Sequence, residues 1–571
     1  MAVSQVYLRY AMGIKMNKKW WHNTIGYQIY PKSFQDSNGD GIGDIKGIIQ
    51  HLDYFKELGI NVIWICPVYK SPMVDHGYDI SDYEQIDPSF GSNEDLDELI
   101  LEADKRGIKI LMDLVVNHTS DQHEWFQKAM EDLHSKYADY YIIKEGSKGE
   151  PPNNWRSIFG GSAWERIGNT NKYYLHIFTK EQPDLNWENK ELRELLYDMV
   201  NRWLEKGLGG FRIDAISHIK KDFNYKNLPA DGKDGLASGW DHFSNVEGIE
   251  IFLKELKEKT FNVYECFTIG EVNDVKPEEL KRYLGEDGYF SSIFDFCHTN
   301  HRVRDKKWVN NPIEMVNELR SLLFSKQEYA NGYGLLCNII ENHDLPRAID
   351  RFIPEKYINY YSKTMLGAIN FFLKGIPFIY QGQEIGMRDY PKKKIEEFKD
   401  PTTYNNYYEH VSRGDLEENV MGKINIETRE HSRTPMQWTD NKNAGFSEGI
   451  PWFEVNPNFK EINVRKQYND SKSLLAFYKK MIAVRKRKDL EETFINGETV
   501  PKYMESSGVI AYERVRDNQR ILVINNCNNA SITLELQEDI KDVLLNNYDQ
   551  IMLDQSDIKI MPFQVVVMEM Q

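Results

Sequence analysis

The sequence predicts an α/β protein: a (β/α)8 TIM barrel with a subdomain inserted after the third strand and an antiparallel β domain at the C-terminus. Three observations carry this. Eight short apolar runs alternate with helical periodicity, the stretch between the third and fourth runs is long and aromatic, and beyond about Thr493 the pattern becomes one of short alternating segments.

The runs are Thr24 to Tyr30, Asn61 to Pro67, Lys109 to Val116, Gly210 to Ile216, Phe267 to Val272, Ser291 to Phe296, Leu335 to Asn342 and Phe378 to Glu384. An apolar run bounded by Gly or Asn reads as a strand buried in a parallel sheet. Between them, Leu192, Leu195, Leu196, Met199, Val200, Trp203 and Leu204 share one helical face, and Gly207 stops that helix before the Gly210 strand. Ser92 opens a Ser-x-x-Asp cap ahead of the stripe Leu96, Leu99, Ile100 and Ala103.

These patterns divide the chain into an N-terminal extension (1–16), a barrel (17–117 and 186–492), an inserted subdomain (118–185) and a C-terminal β domain (493–571). A second irregular stretch, about 386–459, follows the eighth strand and is expected to shape the barrel mouth. In the last unit the alternating segments are Val509 to Val515, Ile521 to Asn525, Ser531 to Gln537 and Gln564 to Met568. Met16, ahead of Asn-Lys-Lys-Trp-Trp, is a candidate start, which would leave the extension outside the fold.

Composition narrows the function. The 571 residues hold 71 Lys and Arg against 88 Asp and Glu, a net charge of −17 without a long basic run, which argues against a nucleic-acid partner. The five cysteines show no Cys-x-x-Cys spacing, so neither a zinc site nor a disulfide framework is indicated. No window approaches the roughly 20 apolar residues of a membrane span, and the N-terminus lacks a secretory signal. The expectation is a protein of a reducing cytoplasm with no membrane partner.

Asp214, Glu271 and Asp344 each stand where an apolar run gives way to a loop, and parallel strands gather such ends at one mouth. Asp113, His118, Arg212 and His343 fall at the same level. Arg212, two residues before Asp214, lies on the same side of an extended strand and is expected to keep that carboxylate ionised for nucleophilic attack. Glu271 follows Ile269-Gly270, surroundings expected to raise its pKa enough for it to carry a proton. Such a pair, about 5 to 5.5 Å apart, is the arrangement for retaining glycoside hydrolysis, with Asp344 favouring the distorted transition state. Singly, each residue has a plainer reading as a helix cap, a solvated charge or a structural histidine. Only the joint pattern points to chemistry.

The segments Asp113-Leu-Val-Val-Asn-His118, Gly210-Phe-Arg-Ile-Asp214, Gly270-Glu271 and Glu341-Asn-His-Asp344 resemble, in that order, the four signature regions of the α-amylase superfamily, glycoside hydrolase family thirteen. Gln182-Pro-Asp-Leu-Asn186 and Arg433-Thr-Pro-Met-Gln-Trp438 are similar to its oligo-1,6-glucosidase and α-glucosidase branch, and the likeness runs from about Lys18 to the C-terminus. The resemblance implies Asp214 as nucleophile, Glu271 as acid/base and Asp344 as transition-state stabiliser. It implies contacts to the first glucose from Asp75, Tyr78, His118, Arg212, His343 and Arg429, with Phe159 and Gln182 from the insert. A closed wall around that glucose implies exo action on a small oligosaccharide, with no cofactor for the chemistry.

Asp36, Asn38, Asp40, Ile42 and Asp44 place oxygens at alternate positions around a Gly turn, as a calcium loop requires. Gly47 stands where an EF-hand would need Glu, so the likeness is to the branch's structural metal loop, with Ile42 donating its carbonyl. A tight Asx-rich turn without metal is the alternative. For linkage, the small Ala215 beside the nucleophile favours α-1,4 or mixed cleavage in the resembled branch, whereas Glu384 looks like the acid that α-1,6 enzymes use at the aglycone subsite. Sucrose-directed or isomerising action is a further alternative for which Arg302-Val-Arg304-Asp305 is only a superficial match. No phosphate site for phosphotrehalose is recognisable. A non-catalytic carbohydrate-binding role would need the nucleophile or acid to be lost, and both are present.

Overall fold

Eight strands form the frame: β1 (Gly26–Ile29), β2 (Val62–Ile65), β3 (Lys109–Val115), β4 (Gly210–Asp214), β5 (Phe267–Glu271), β6 (Ser292–Phe294), β7 (Cys337–Asn338) and β8 (Ile376–Tyr380). They are parallel, each beside its neighbour in sequence, and β1 pairs with both β2 and β8 to close the barrel. The computed structural model describes residues 18–272, 275–294 and 312–571. The expected N-terminal extension, Asp295, Phe296 and the Arg302 to Asp305 motif lie outside these residues.

Nearly every strand residue is buried, because helices cover the outside and packed side chains fill the inside, which is why the strands read as continuous apolar runs. Gly210 (φ 143°) opens β4 where any Cβ would stand 2.0 Å from the Phe267 carbonyl oxygen, so only glycine lets β4 and β5 approach. The expected helix over Leu192 to Leu204 spans Lys190–Glu205 as α1, capped by Asn189, and the Ser92–Asp95 capping box opens the helix Asn93–Asp104. Several predicted runs are trimmed, Leu335 to Asn342 most of all, to Cys337–Asn338, and the eighth is displaced: β8 begins at Ile376 and stops at Tyr380. Gly382 (φ 83°) then turns the chain into the 3-10 turn Gln383–Ile385.

Between β3 and α1 a three-stranded antiparallel sheet forms from Ile143–Glu145, Lys172–Leu175 and Trp164–Arg166. Its core is shared with chain from beyond β4: Phe243 packs against Trp155 and Trp164, and Ala237–Ser238 pairs with Trp155–Arg156. The insert is thus built from two stretches, where the sequence suggested one. Lys221 fastens it to the barrel. Its ammonium, fully buried, lies 2.8 Å from Asp184 Oδ2 and donates to Asn117 Oδ1 at 2.7 Å and the His218 carbonyl at 2.6 Å.

After β8, helices α2 (Pro401–Ser412) and α3 (Glu417–Glu427) form a hairpin over their own small core of Ile395, Phe398, Tyr407, Val420 and Ile424. Asn405 Nδ2 donates to the Phe159 carbonyl at 3.0 Å, joining hairpin and insert. The C-terminal part holds a five-stranded sheet and a three-stranded one, antiparallel throughout. No described helix is long and apolar enough to cross a membrane.

The Asp36 to Asp44 loop is closed by its own hydrogen bonds. Asp36 accepts from the N–H groups of Asn38, Gly39 and Gly41 and from the Ser447 hydroxyl; Asp40 accepts from Ile42 N–H and the Asn38 amide. Asp44 caps the following helix through Gly47 N–H and takes both Ser37 donors. Every candidate carboxylate is therefore engaged by the loop's own donors or by Ser447, and among the described residues no three His, Cys, Asp or Glu side chains gather as a metal group. These bonds make an Asx-rich turn, one of the two readings of the spacing, and the oxygens of Asp36, Asn38, Asp40, Ile42 and Asp44 are the ones that would hold calcium in the other. Thermal melts in EDTA and in millimolar calcium separate the two: a calcium-dependent rise in Tm that is lost in Asp40→Ala shows the metal, and identical melts show the turn alone.

Candidate active site

The side chains of β4 alternate, so Arg212 and Asp214 point the same way inside the barrel, and Arg212 is in register with Asp113 of β3. The guanidinium is fully buried. Its Nη1 donates to Asp113 Oδ1 at 2.8 Å and Asp214 Oδ1 at 2.7 Å, while Nη2 lies 2.7 Å from Glu271 Oε2 as an ion-pair contact. Trp64 covers it at 5.0 Å. Ala215 follows in the left-handed region (φ 44°), and this turn aims its N–H at Glu271 Oε2, 2.8 Å away. The nucleophile and acid/base candidates thus hang on one cation and one strained turn.

Three carboxylates around one guanidinium cannot all ionise cheaply. Burial pushes Asp214 well up, Arg212 pulls it down, and the neighbouring Glu271 and Asp113 charges push it up again. Asp113 is raised to about 6, burial outweighing Arg212. The expected help of Arg212 to the Asp214 carboxylate is therefore opposed: one cation serves three acids, and burial holds Asp214 and Asp113 above the usual carboxylate range.

Asp344 has the opposite balance. Burial alone would raise it, but His343, Arg429 and Arg433 hold it well below the usual carboxylate range. Both arginines donate to Oδ1 at 2.9 Å, and His343 Nε2 lies 3.1 Å from Oδ2. Gln28 donates to His343 Nδ1 at 2.7 Å, which puts the histidine proton on Nε2, facing Asp344 and the Tyr78 hydroxyl at 2.6 Å. Burial lowers His343 to about 3, so near neutrality the imidazole is uncharged and the arginines are the standing cations.

Arg429 also donates to Asp75 Oδ1 at 2.9 Å, contacts Asp400, and lies 5.2 Å over the Phe159 ring. Burial raises Asp75 to about 6 despite Arg429. Gln182 donates to Asp75 Oδ2 at 3.1 Å and reaches His118 Nε2 at 3.1 Å; His118 is lowered to about 3 by burial.

These groups surround a cavity of about 600 Å³. Of the expected site residues, Asp75, Tyr78, His118, Phe159, Asp214, Ala215, Glu271, Asp344 and Arg429 line it. Arg212, His343 and Gln182 are buried behind this wall and hold residues that face it. Glu384 is not brought to the site. The turn after β8 buries it completely, where it accepts from Tyr54 at 2.6 Å and Tyr27 at 2.9 Å, so its proposed role at the aglycone subsite is withdrawn. Sequence reasoning missed Phe178, His218, Trp240, Thr402, Asn406 and Glu427 on the wall, and Asp400 behind it. Asp400-Pro401 was the one local signal, a helix cap followed by proline at N1.

Comparison with known proteins agrees with this geometry. Residues 28–493 match the family described as "Alpha amylase, catalytic domain", and 509–567 match "Alpha-amylase SusG C-terminal domain". The chain is 42% identical to an oligo-1,6-glucosidase of Bacillus cereus, covering 97% of this chain and 100% of that protein. It is 44% identical to a probable oligo-1,6-glucosidase 3 of Bacillus subtilis (strain 168), covering 90% and 91%. The crystal structure of an isomaltulose synthase from Klebsiella sp. LX3 superposes with a TM-score of 0.90 at 34% identity, covering 97% and 100%. With a barrel, a site and relatives that agree over nearly its whole length, the chain belongs to the alpha-amylase catalytic-domain family and is a glycoside hydrolase.

Proposed function

We propose that the protein is an exo-acting, retaining α-glucosidase that releases the non-reducing terminal glucose from short α-glucosides. The observation that carries this reading is the suspension of Asp214 and Glu271 from Arg212 at the wall of one cavity. Asp214 attacks the anomeric carbon and forms the glucosyl ester while Glu271 gives its proton to the departing oxygen. Glu271 then takes a proton from water, which attacks the ester and frees Asp214. The standing negative charge of Asp344 favours the positive charge that develops on the sugar. Asp75, Arg429, His118 and Gln182 form the buried end that holds the terminal unit.

For linkage we favour α-1,6 bonds in short isomalto-oligosaccharides, supported by the relatives named above. Maltose-type α-1,4 cleavage is the second reading, supported by the small Ala215 on the wall. Comparing kcat/KM on isomaltose, maltose and sucrose separates them: isomaltose should lead, and a maltose preference would overturn the α-1,6 choice.

Asp214→Asn and Glu271→Gln should each lower kcat on p-nitrophenyl α-glucoside by about a thousandfold or more, with the wild type releasing α-glucose first by NMR. Wild-type activity in either variant, or initial β-glucose, would refute the assignment. The pH profile follows from the raised acids. Asp75 and Asp113 are each pushed to about 6, and both must be anionic to hold sugar and Arg212. Protonation below that value removes the charge, so kcat/KM should fall on the acid side with an apparent pKa near 6. Full activity down to pH 5 would contradict it.

A further inference from the structure

The hairpin side of the cavity carries polar groups whose bonding capacity is unused. Glu427, the last residue of α3, lines the cavity, is half-buried, and makes no hydrogen bond or ion pair among the described residues. The other acids on the wall are committed: Asp75 and Asp344 to Arg429, Asp214 and Glu271 to Arg212. Thr402, at the start of α2, has its Oγ1 buried with no partner, and the Asn406 side chain one turn on makes no hydrogen bond either. All three are more exposed than Asp75 and so stand nearer the opening.

A part-buried carboxylate and a buried hydroxyl without partners carry a desolvation cost until donors arrive. The hydroxyls of a second sugar unit are such donors. Resting on the glucosidase reading, we infer that Glu427, with Thr402 and Asn406, reads the aglycone sugar, and that Glu427 selects an uncharged aglycone over one bearing a phosphate. The charge pattern supports the selection. Arg429 is the one Lys or Arg among the described lining residues, and its guanidinium is taken up by Asp75, Asp344 and Asp400. An anionic aglycone would meet Glu427 with no cation on the described wall free to neutralise it.

The test compares kcat/KM for the preferred disaccharide, p-nitrophenyl α-glucoside and trehalose 6-phosphate in wild type, Glu427→Gln and Glu427→Lys. The nitrophenyl aglycone has no hydroxyls to read. Glu427→Gln should lower the disaccharide to nitrophenyl ratio by about tenfold, the loss of a hydrogen bond to a charged group. Glu427→Lys should raise the trehalose 6-phosphate to disaccharide ratio by a similar factor. Ratios that stay constant, including a uniform fall on all three substrates, would overturn the inference. A wild type that hydrolyses none of them would overturn the glucosidase reading instead.

Discussion

Arg212 places three carboxylates of β3, β4 and β5 around one buried cation, and much of the barrel serves to let that arrangement persist. A guanidinium offers donors in a rigid fork, so it fixes the orientation of several acids at once, which an ammonium on a flexible stem does not. Parallel pairing puts Asp113 beside Arg212 and Asp214 two residues on, while Gly210 allows the close approach of β5 that brings Glu271 into range.

A second knot of charge lies on the other side of the cavity with a different ratio. There Arg429 and Arg433 face Asp75, Asp344 and Asp400, and the extra cation holds Asp344 low, whereas burial prevails over the single Arg212 at Asp113 and Asp214. Carboxylates of one chemical type are thus set apart by the arginines each faces: Asp344, between two, is held low, while Asp113 and Asp214, sharing one, are raised. Neither ratio is visible in a strand pattern, because Arg429 and Arg433 come from a loop far along the chain.

The barrel was legible because buried parallel strands leave unbroken apolar runs, and the carboxylates were legible because they end those runs. What misled was local likeness without tertiary context. Glu384 follows an apolar run as Asp214 does, yet Gly382 turns the chain and two tyrosines take the carboxylate inward. The Asp36 to Asp44 spacing suits a metal and an Asx turn equally, and Ser447, which donates to Asp36, is a residue no local pattern connects to it. The second half of the insert, Ala237 to Phe243, gave no sign of its partner Trp155. Thr402, Asn406 and Glu427 lie in the stretch that read only as irregular, and the folding-over of its helical hairpin turns them to the cavity.

The buried Lys221–Asp184 pair has a mechanical consequence. Removing either partner would leave the other charge buried and uncompensated, at a cost of about 3–5 kcal/mol, so the joint depends on both residues together. The wall that the insert contributes, including Phe159 and Phe178, is anchored to the barrel through this joint. The aperture between this anchored wall and the hairpin, bridged by the Asn405–Phe159 tie, limits how bulky or branched a sugar can be and still reach Asp214.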